Sequence, residues 1–127
     1  MSAVGLRVLV VEDSPTMRSF VATTLEEAGI VDITQVPSGF AALQALPGTR
    51  FDLVISDVNM PDINGLELIR FIRKSPEHSR VPFIVISTEG RERDRERCMS
   101  LGASGYLVKP FAPAALIAEI KKHVVVS

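Results

Sequence analysis

The sequence has little cysteine, no excess of charge of one sign and no long apolar run. Its single cysteine, Cys98, excludes an internal disulfide and a zinc site built from cysteines. Fourteen Lys and Arg residues against 15 Asp and Glu residues argue against a nucleic-acid groove or a polybasic membrane surface. The apolar stretches are far shorter than the roughly 18 to 20 residues that cross a bilayer, and the N-terminus lacks a signal peptide's apolar core. We therefore expect a soluble, cytoplasmic protein.

What the sequence does contain is a regular alternation of strand and helix patterns. Its 127 residues, 46% of them hydrophobic, suit one folded domain, residues 1–127. Five short, β-branched runs lie at residues 6–11, 33–36, 51–56, 82–87 and 105–108. Three of them are continuously apolar, which is typical of strands covered on both faces. Helical patterns begin near Pro15, Ser38, Asn64, Arg91 and Ala112. This order predicts an α/β fold, a five-stranded doubly wound parallel sheet.

Polar residues terminate four of the apolar runs, at Glu12 and Asp13, Asp57, Ser87 and Lys109. In a parallel sheet these positions meet at one edge, where such folds bind ligands. Taken singly, Asp13 can be read as a helix cap and Asp57 as the start of a turn. Together, three acids repel one another unless a cation lies among them, and an all-oxygen cluster favours Mg²⁺. A cation, a lysine and a hydroxyl are suited to holding a phosphoryl group.

At these residues the sequence resembles the response-regulator receiver domain, in its single-domain, chemotaxis CheY-like form. The matching stretches, in order, are residues 10–14, 55–57 with Met60-Pro61, Gly65, residues 86–87 and residues 102–111. They span nearly the whole chain. The resemblance implies a flavodoxin-like fold with the strand order 2-1-3-4-5.

The resemblance also implies site roles. Asp57 would accept a phosphoryl group from a histidine kinase's phosphohistidine. Mg²⁺ would be held by Asp13, Asp57 and the backbone carbonyl of Asn59, with Glu12 assisting through water. Ser87 would hydrogen-bond the phosphoryl oxygens, Lys109 would pair with their charge, and the Lys109-Pro110 peptide would be cis.

Three further positions are expected to act on the signal. Tyr106 is a switch residue coupled to Ser87 in the family, although on propensity alone it is a packed strand residue. Asn59 and Glu89 lie two residues beyond Asp57 and Ser87, beside the path of an attacking water. We expect both side chains to tune dephosphorylation.

The expected output is a partner-binding face made of the fourth helix, the fifth strand and the fifth helix. In the fourth helix, residues 91–97 alternate in charge, and Gly90 is a weak cap, so its first turns are either marginal or a plain solvated face. The protein would act as a monomer on an output protein in trans, after loading by a histidine kinase or phosphotransfer protein. It would catalyse only its own phosphorylation and dephosphorylation.

Other interpretations remain open at this point. The chain can be the receiver part of a longer regulator with a C-terminal output domain, such as a DNA-binding one. Two other classes are disfavoured: a haloacid-dehalogenase-type phosphatase would need a DxD at the end of the first strand, and a flavin-binding domain would need a phosphate loop there, and the sequence has neither. We expect Cys98 in the core, His78 and His123 on the surface, and residues 124–126 either covering the core or forming the start of a linker.

Overall fold

The computed structural model describes residues 5–126 as alternating strands and helices. The strands are β1 (Arg7–Val11), β2 (Asp32–Val36), β3 (Leu53–Asp57), β4 (Phe83–Ser87) and β5 (Gly105–Val108). The helices are α1 (Pro15–Glu27), α2 (Gly39–Ala45), α3 (Gly65–Lys74), α4 (Glu92–Ser100) and α5 (Pro113–Lys121). Within this part of the chain, none of the helices has the length and apolarity needed to cross a bilayer.

The five strands form one parallel sheet in the order β2-β1-β3-β4-β5, which confirms the predicted fold and strand order. The register pairs Val11 with Ser56 and Ser87 with Val108. β2 lies on one side of β1, and β3, β4 and β5 follow in order on the other side. The strand order therefore reverses between β1 and β3. Ligands of such sheets bind at the carboxyl ends of the strands next to this reversal.

Both faces of the sheet are covered, as the continuous apolar runs predict. Successive β1 residues alternate between faces, with Val8 and Val10 in one buried cluster and Leu9 and Val11 in the other. Helices α1 and α5 pack on the first face, and α2, α3 and α4 pack on the second. Cys98 of α4 lies in the second cluster at 3% exposure, which confirms that it is a core residue.

The ends of the helices follow their local sequence with one exception. Ser14, and not Asp13, caps α1, because its hydroxyl accepts a hydrogen bond from the Met17 amide at 3.3 Å. The predicted cap of α4 at Gly90 is wrong: Arg91 occupies that position. Arg91 makes no side-chain cap bond within the described residues, so this helix start still lacks a cap.

The expectation that His78 lies on the surface is wrong. Its side chain is only 2% exposed, and its Nε2 accepts a hydrogen bond from the Phe51 amide at 3.2 Å. The proline-flanked sequence around His78 is typical of an exposed loop, but this loop folds against the segment before β3. His123 is half-buried, with Nε2 3.0 Å from Glu119 Oε2. Near the C-terminus, residues 124 and 126 pack on the core, while Val125 is exposed.

Candidate functional site

The three acids predicted to meet at one sheet edge do so. Glu12 and Asp13 directly follow β1, and Asp57 is the last residue of β3. One carboxylate oxygen from each of the three lies within 4.8 Å of the others. Glu12 is fully buried and Asp57 nearly so, whereas Asp13 is exposed. The cluster therefore has a buried floor and one solvent-facing carboxylate.

Lys109 brings the end of β5 to this cluster. Its Nζ donates to Glu12 Oε2 at 2.9 Å and to Asp57 Oδ2 at 3.1 Å. Burial by itself would lower the pKa of Lys109, but the hydrogen bond with Glu12 and the charge of Asp57 raise the pKa above its ordinary value. The ammonium is therefore held in its charged form between two carboxylates. The peptide that follows, Lys109-Pro110, is cis, as the resemblance implies.

Glu12 is fixed by contacts through both its backbone and its side chain. Its Oε1 accepts from the Ser14 amide at 3.2 Å, and its backbone carbonyl accepts from Arg18 Nη1 at 2.8 Å. Burial, followed by the neighbouring charge of Asp57, raises the pKa of the Glu12 carboxyl above its ordinary value, although Lys109 opposes this. The contact from Arg18 was missed from the sequence, because a single arginine one turn into an amphipathic helix gives no signal of its target.

Asp57 is held from the following loop. Its Oδ1 accepts a hydrogen bond from the Asn59 amide at 3.1 Å, and the loop closes where the Gly65 amide donates to the Val58 carbonyl at 2.9 Å. A Cβ on Gly65 would lie only 2.7 Å from the Asp57 carbonyl oxygen, so α3 starts closer to β3 than a side chain would allow. The backbone thus places Asn59 beside Asp57, with its own side chain exposed.

Ser87, Tyr106 and Glu89 form a connected group next to the acids. The buried Ser87 Oγ accepts from the Glu89 amide at 3.0 Å, and the Tyr106 hydroxyl donates to the Glu89 carbonyl at 2.6 Å. Burial raises the pKa of the Tyr106 phenol above its ordinary value, and the neighbouring Ser87 hydroxyl opposes the rise. These residues line a cleft of about 220 Å³ that also reaches Asn59. The predicted switch pair is therefore adjacent, and both dephosphorylation positions border the same cleft.

The donor set suits a hard divalent cation. Three carboxylates against one ammonium leave two excess negative charges when all are ionised. Because burial and the charge of Asp57 both act against ionisation of Glu12, a cation that offset them would favour its charged form. Oxygen-only ligands, some buried and one open to water, match Mg²⁺, which retains several of its waters in protein sites.

Known proteins match this chain in sequence and in structure. Residues 8–121 match the response regulator receiver domain. Chemotaxis protein CheY1 of Helicobacter pylori (strain ATCC 700392 / 26695) is 35% identical over 112 residues, covering 87% of this chain and 90% of that protein.

Two solved structures extend the match to the fold. Chemotaxis response regulator CheY4 of Vibrio cholerae superposes with a TM-score of 0.88 at 34% identity, covering 94% of this chain and 98% of that one. The second structure is the receiver domain of sensor histidine kinase PA1611 from Pseudomonas aeruginosa, with a magnesium ion coordinated in its active site cleft. It superposes with a TM-score of 0.85 at 30% identity, again covering 94% of this chain and 98% of that one.

The sequence match covers most of the chain, and the structural match reproduces its strand order and helix placement. Four of the residues that carry the resemblance lie together at one edge of the sheet: Glu12, Asp13, Asp57 and Lys109. The chain therefore belongs to the response regulator receiver domain family, and is similar to the chemotaxis regulators of the CheY type.

Proposed function

We propose that this protein is a phospho-accepting response regulator in which Asp57 takes a phosphoryl group from a histidine kinase or phosphotransfer protein. One observation carries the proposal: the Asp57 carboxylate lies within 4.8 Å of two other carboxylates and 3.1 Å from the Lys109 ammonium. A purely structural aspartate does not require two further carboxylates and an ammonium beside it. A nucleophile that must meet an anionic phosphoryl group does, because the charges of both have to be neutralised together.

The chemistry follows from how Asp57 is held. Its Oδ1 is fixed by the Asn59 amide and its Oδ2 by Lys109. A carboxylate oxygen attacks the phosphorus of a phosphohistidine; an O–P bond forms, the N–P bond breaks and the imidazole leaves. Lys109 offsets the negative charge, and the Ser87 hydroxyl donates a hydrogen bond to a phosphoryl oxygen. In the return step, a water attacks phosphorus, and inorganic phosphate leaves with regeneration of the carboxylate.

The same proposal includes Mg²⁺ at the acid cluster. Asp13, Asp57 and the backbone carbonyl of Asn59 would hold the ion, and Glu12 would assist through water. When bound, the ion would supply Lewis-acid charge neutralisation for the phosphoryl oxygens. The oxygen-only donor set and the excess negative charge support this assignment, as does the magnesium ion in the related P. aeruginosa receiver domain.

The output would pass through Ser87 and Tyr106. A phosphoryl group that engages Ser87 would disturb the hydrogen bonds that Ser87 and Tyr106 make with Glu89, and Glu89 leads directly to α4. The face formed by α4, β5 and α5 would then bind an output protein in trans. We expect a cytoplasmic monomer whose only catalysis is its own phosphorylation and dephosphorylation.

The decisive experiment is phosphorylation by acetyl phosphate with Mg²⁺, followed by intact mass measurement. The wild-type protein should gain one phosphoryl group, and Asp57→Asn should gain none. Asp52→Asn is the matched control, since Asp52 lies just before β3 at the opposite edge of the sheet, where its side chain accepts a hydrogen bond from the Arg7 amide at 2.9 Å. It should be phosphorylated like the wild type. A phosphoryl group on Asp57→Asn would show that the acceptor is elsewhere.

A further inference from the structure

The loop between β3 and α3 is hydrogen-bonded to the start of α2, which lies more than 20 residues earlier in the sequence. Asp62, in the middle of this loop, accepts hydrogen bonds from the Phe40 amide at 2.8 Å and the Gly39 amide at 3.3 Å. Both amides belong to the first turn of α2. A carboxylate in this position satisfies two N–H groups that the helix itself leaves without partners, and it benefits from the positive end of the helix dipole.

The contact is close as well as polar. A Cβ on Gly39 would lie 2.7 Å from the Ile63 carbonyl oxygen, so the loop backbone rests directly on the start of α2. The hydrogen bonds, that from Phe40 foremost, lower the pKa of Asp62 below its ordinary value, so the carboxylate stays ionised at neutral pH. Gly39 and Asp62 together therefore hold the outer side of the loop against α2.

The same loop carries Asn59, whose backbone carbonyl is proposed to bind Mg²⁺. On its inner side the loop is held by the Asn59 amide on Asp57 Oδ1 and by the Gly65 amide on the Val58 carbonyl. These bonds fix the two ends of the loop next to the strand. The hydrogen bonds that Asp62 accepts hold the middle of the loop from the other side, on α2, and Met60 packs into the core beside it.

We infer that Asp62 is a positioning residue, which holds the loop so that the Asn59 carbonyl stays aimed at the metal site. This inference rests on the proposed magnesium-dependent function. It predicts that loss of the Asp62 bonds weakens Mg²⁺ binding even though Asp62 does not contact the ion. Residues that orient metal ligands act on affinity in this indirect way.

The competing interpretation is that Asp62 only stabilises α2. Ser38 provides a matched control, because its Oγ caps the same helix by accepting from the Ala41 amide at 3.0 Å and lies outside the loop. Ser38→Ala therefore removes a cap bond from α2 and leaves the loop contacts in place. Asp62→Ala removes both loop bonds, and Asp62→Asn removes the charge while keeping one acceptor oxygen for the Phe40 amide.

The measurement is Mg²⁺ affinity of the unphosphorylated proteins by calorimetry, with urea unfolding of each variant in EDTA. Asp62→Ala should raise the Kd for Mg²⁺ by about 3- to 10-fold, less than the roughly 10- to 100-fold typical of direct outer-shell partners, because Asp62 bonds to α2 and not to the ligand itself. Asp62→Asn should raise it by clearly less. Ser38→Ala should leave the Kd within about 1.5-fold of wild type although its stability falls, since a cap substitution acts on the helix.

Three results would overturn the inference: unchanged affinity in Asp62→Ala, an equal loss in Ser38→Ala, or an equal loss in Asp62→Asn. The last would mean that the charge of Asp62, and not its hydrogen bonds, sets the affinity. A wild-type protein that binds no Mg²⁺ would contradict the proposed function itself. The two failures are therefore distinguishable.

Discussion

The Lys109 ammonium donates a hydrogen bond to the Glu12 carboxylate at 2.9 Å, joining two residues that are 97 positions apart in the sequence. Glu12 is fully buried, so this contact compensates a charge that water cannot reach. It also links the first strand of the sheet to the last across β3 and β4.

Glu12 should make stability depend on pH in the absence of Mg²⁺. Its folded-state pKa is raised above 4.5, mainly by burial. A group of this kind contributes stability that is present below its unfolded pKa and is lost as pH rises through the folded pKa. The pKa of Lys109 is raised above 10.5, so Lys109 does not titrate between acidic and neutral pH. The free energy of unfolding of wild type relative to Glu12→Gln should therefore fall as the pH rises from 4.5 to neutral.

Urea unfolding in EDTA across that range measures this difference. Added Mg²⁺ should restore wild-type stability at neutral pH and have a smaller effect on Glu12→Gln. A difference between the two proteins that rises with pH would show that the Glu12 pKa is lowered, not raised.

Replacing Asp13 should separate metal binding from folding. Its side chain is exposed, so Asp13→Ala should change the free energy of unfolding by no more than about 0.5 kcal/mol, or stabilise the protein by removing carboxylate repulsion. Mg²⁺ binding by calorimetry and phosphorylation by acetyl phosphate should both be lost. Glu26→Ala, which replaces an exposed acid of α1, is the control and should retain both. A large drop in Tm for Asp13→Ala would show that Asp13 is structural.

Asn59 should set the lifetime of the phosphorylated state. Its exposed side chain borders the cleft that reaches Ser87, and its amide donates to Asp57 Oδ1 at 3.1 Å. Asn59→Leu should slow dephosphorylation by about threefold or more, because a bulky apolar side chain excludes water from the line of attack. The decay of the phosphorylated protein after removal of the phosphodonor measures this. Gln44→Leu, an exposed substitution on α2, should decay as wild type does, and equal rates in all three proteins would contradict the role.

The first turns of α4 should open more readily than α1. Cys98 is the only buried residue of α4. The ion pairs at the start of this helix, such as that of Arg91 with Asp94 at 3.2 Å, are exposed and therefore weak. In α1, by contrast, Ser14 caps the helix and four residues are buried. Hydrogen exchange on the unphosphorylated protein should be at least about tenfold faster at amides 93–97 than at amides 21–25. Equal protection of the two segments would mean that α4 is a plain solvated helix.

The sequence alone determined the fold and the composition of the site. Continuous β-branched runs alternating with helical periodicity specify strands covered on both faces, and that order leaves a doubly wound parallel sheet. Parallel strands all end at one edge of the sheet. The polar residues that terminate the apolar runs could therefore be predicted to lie together: Glu12, Asp13, Asp57, Ser87 and Lys109. Local periodicity and the direction of the chain were sufficient for this, and the resemblance added the strand order and the expected roles.

Only the tertiary structure decided which groups bind one another. The burial of His78, the contact of Arg18 with the Glu12 carbonyl and the bonds of Asp62 to α2 have no counterpart in the sequence pattern. Arg73 is similar, since its guanidinium donates to the Gly102 carbonyl at 2.8 Å and to Val81 at 2.7 Å, joining two distant turns. Hydrophobic periodicity follows from burial on one face, which neighbouring residues share. A hydrogen bond between distant loops depends instead on where the packed helices place the backbone. The identity of a single residue does not predict that position.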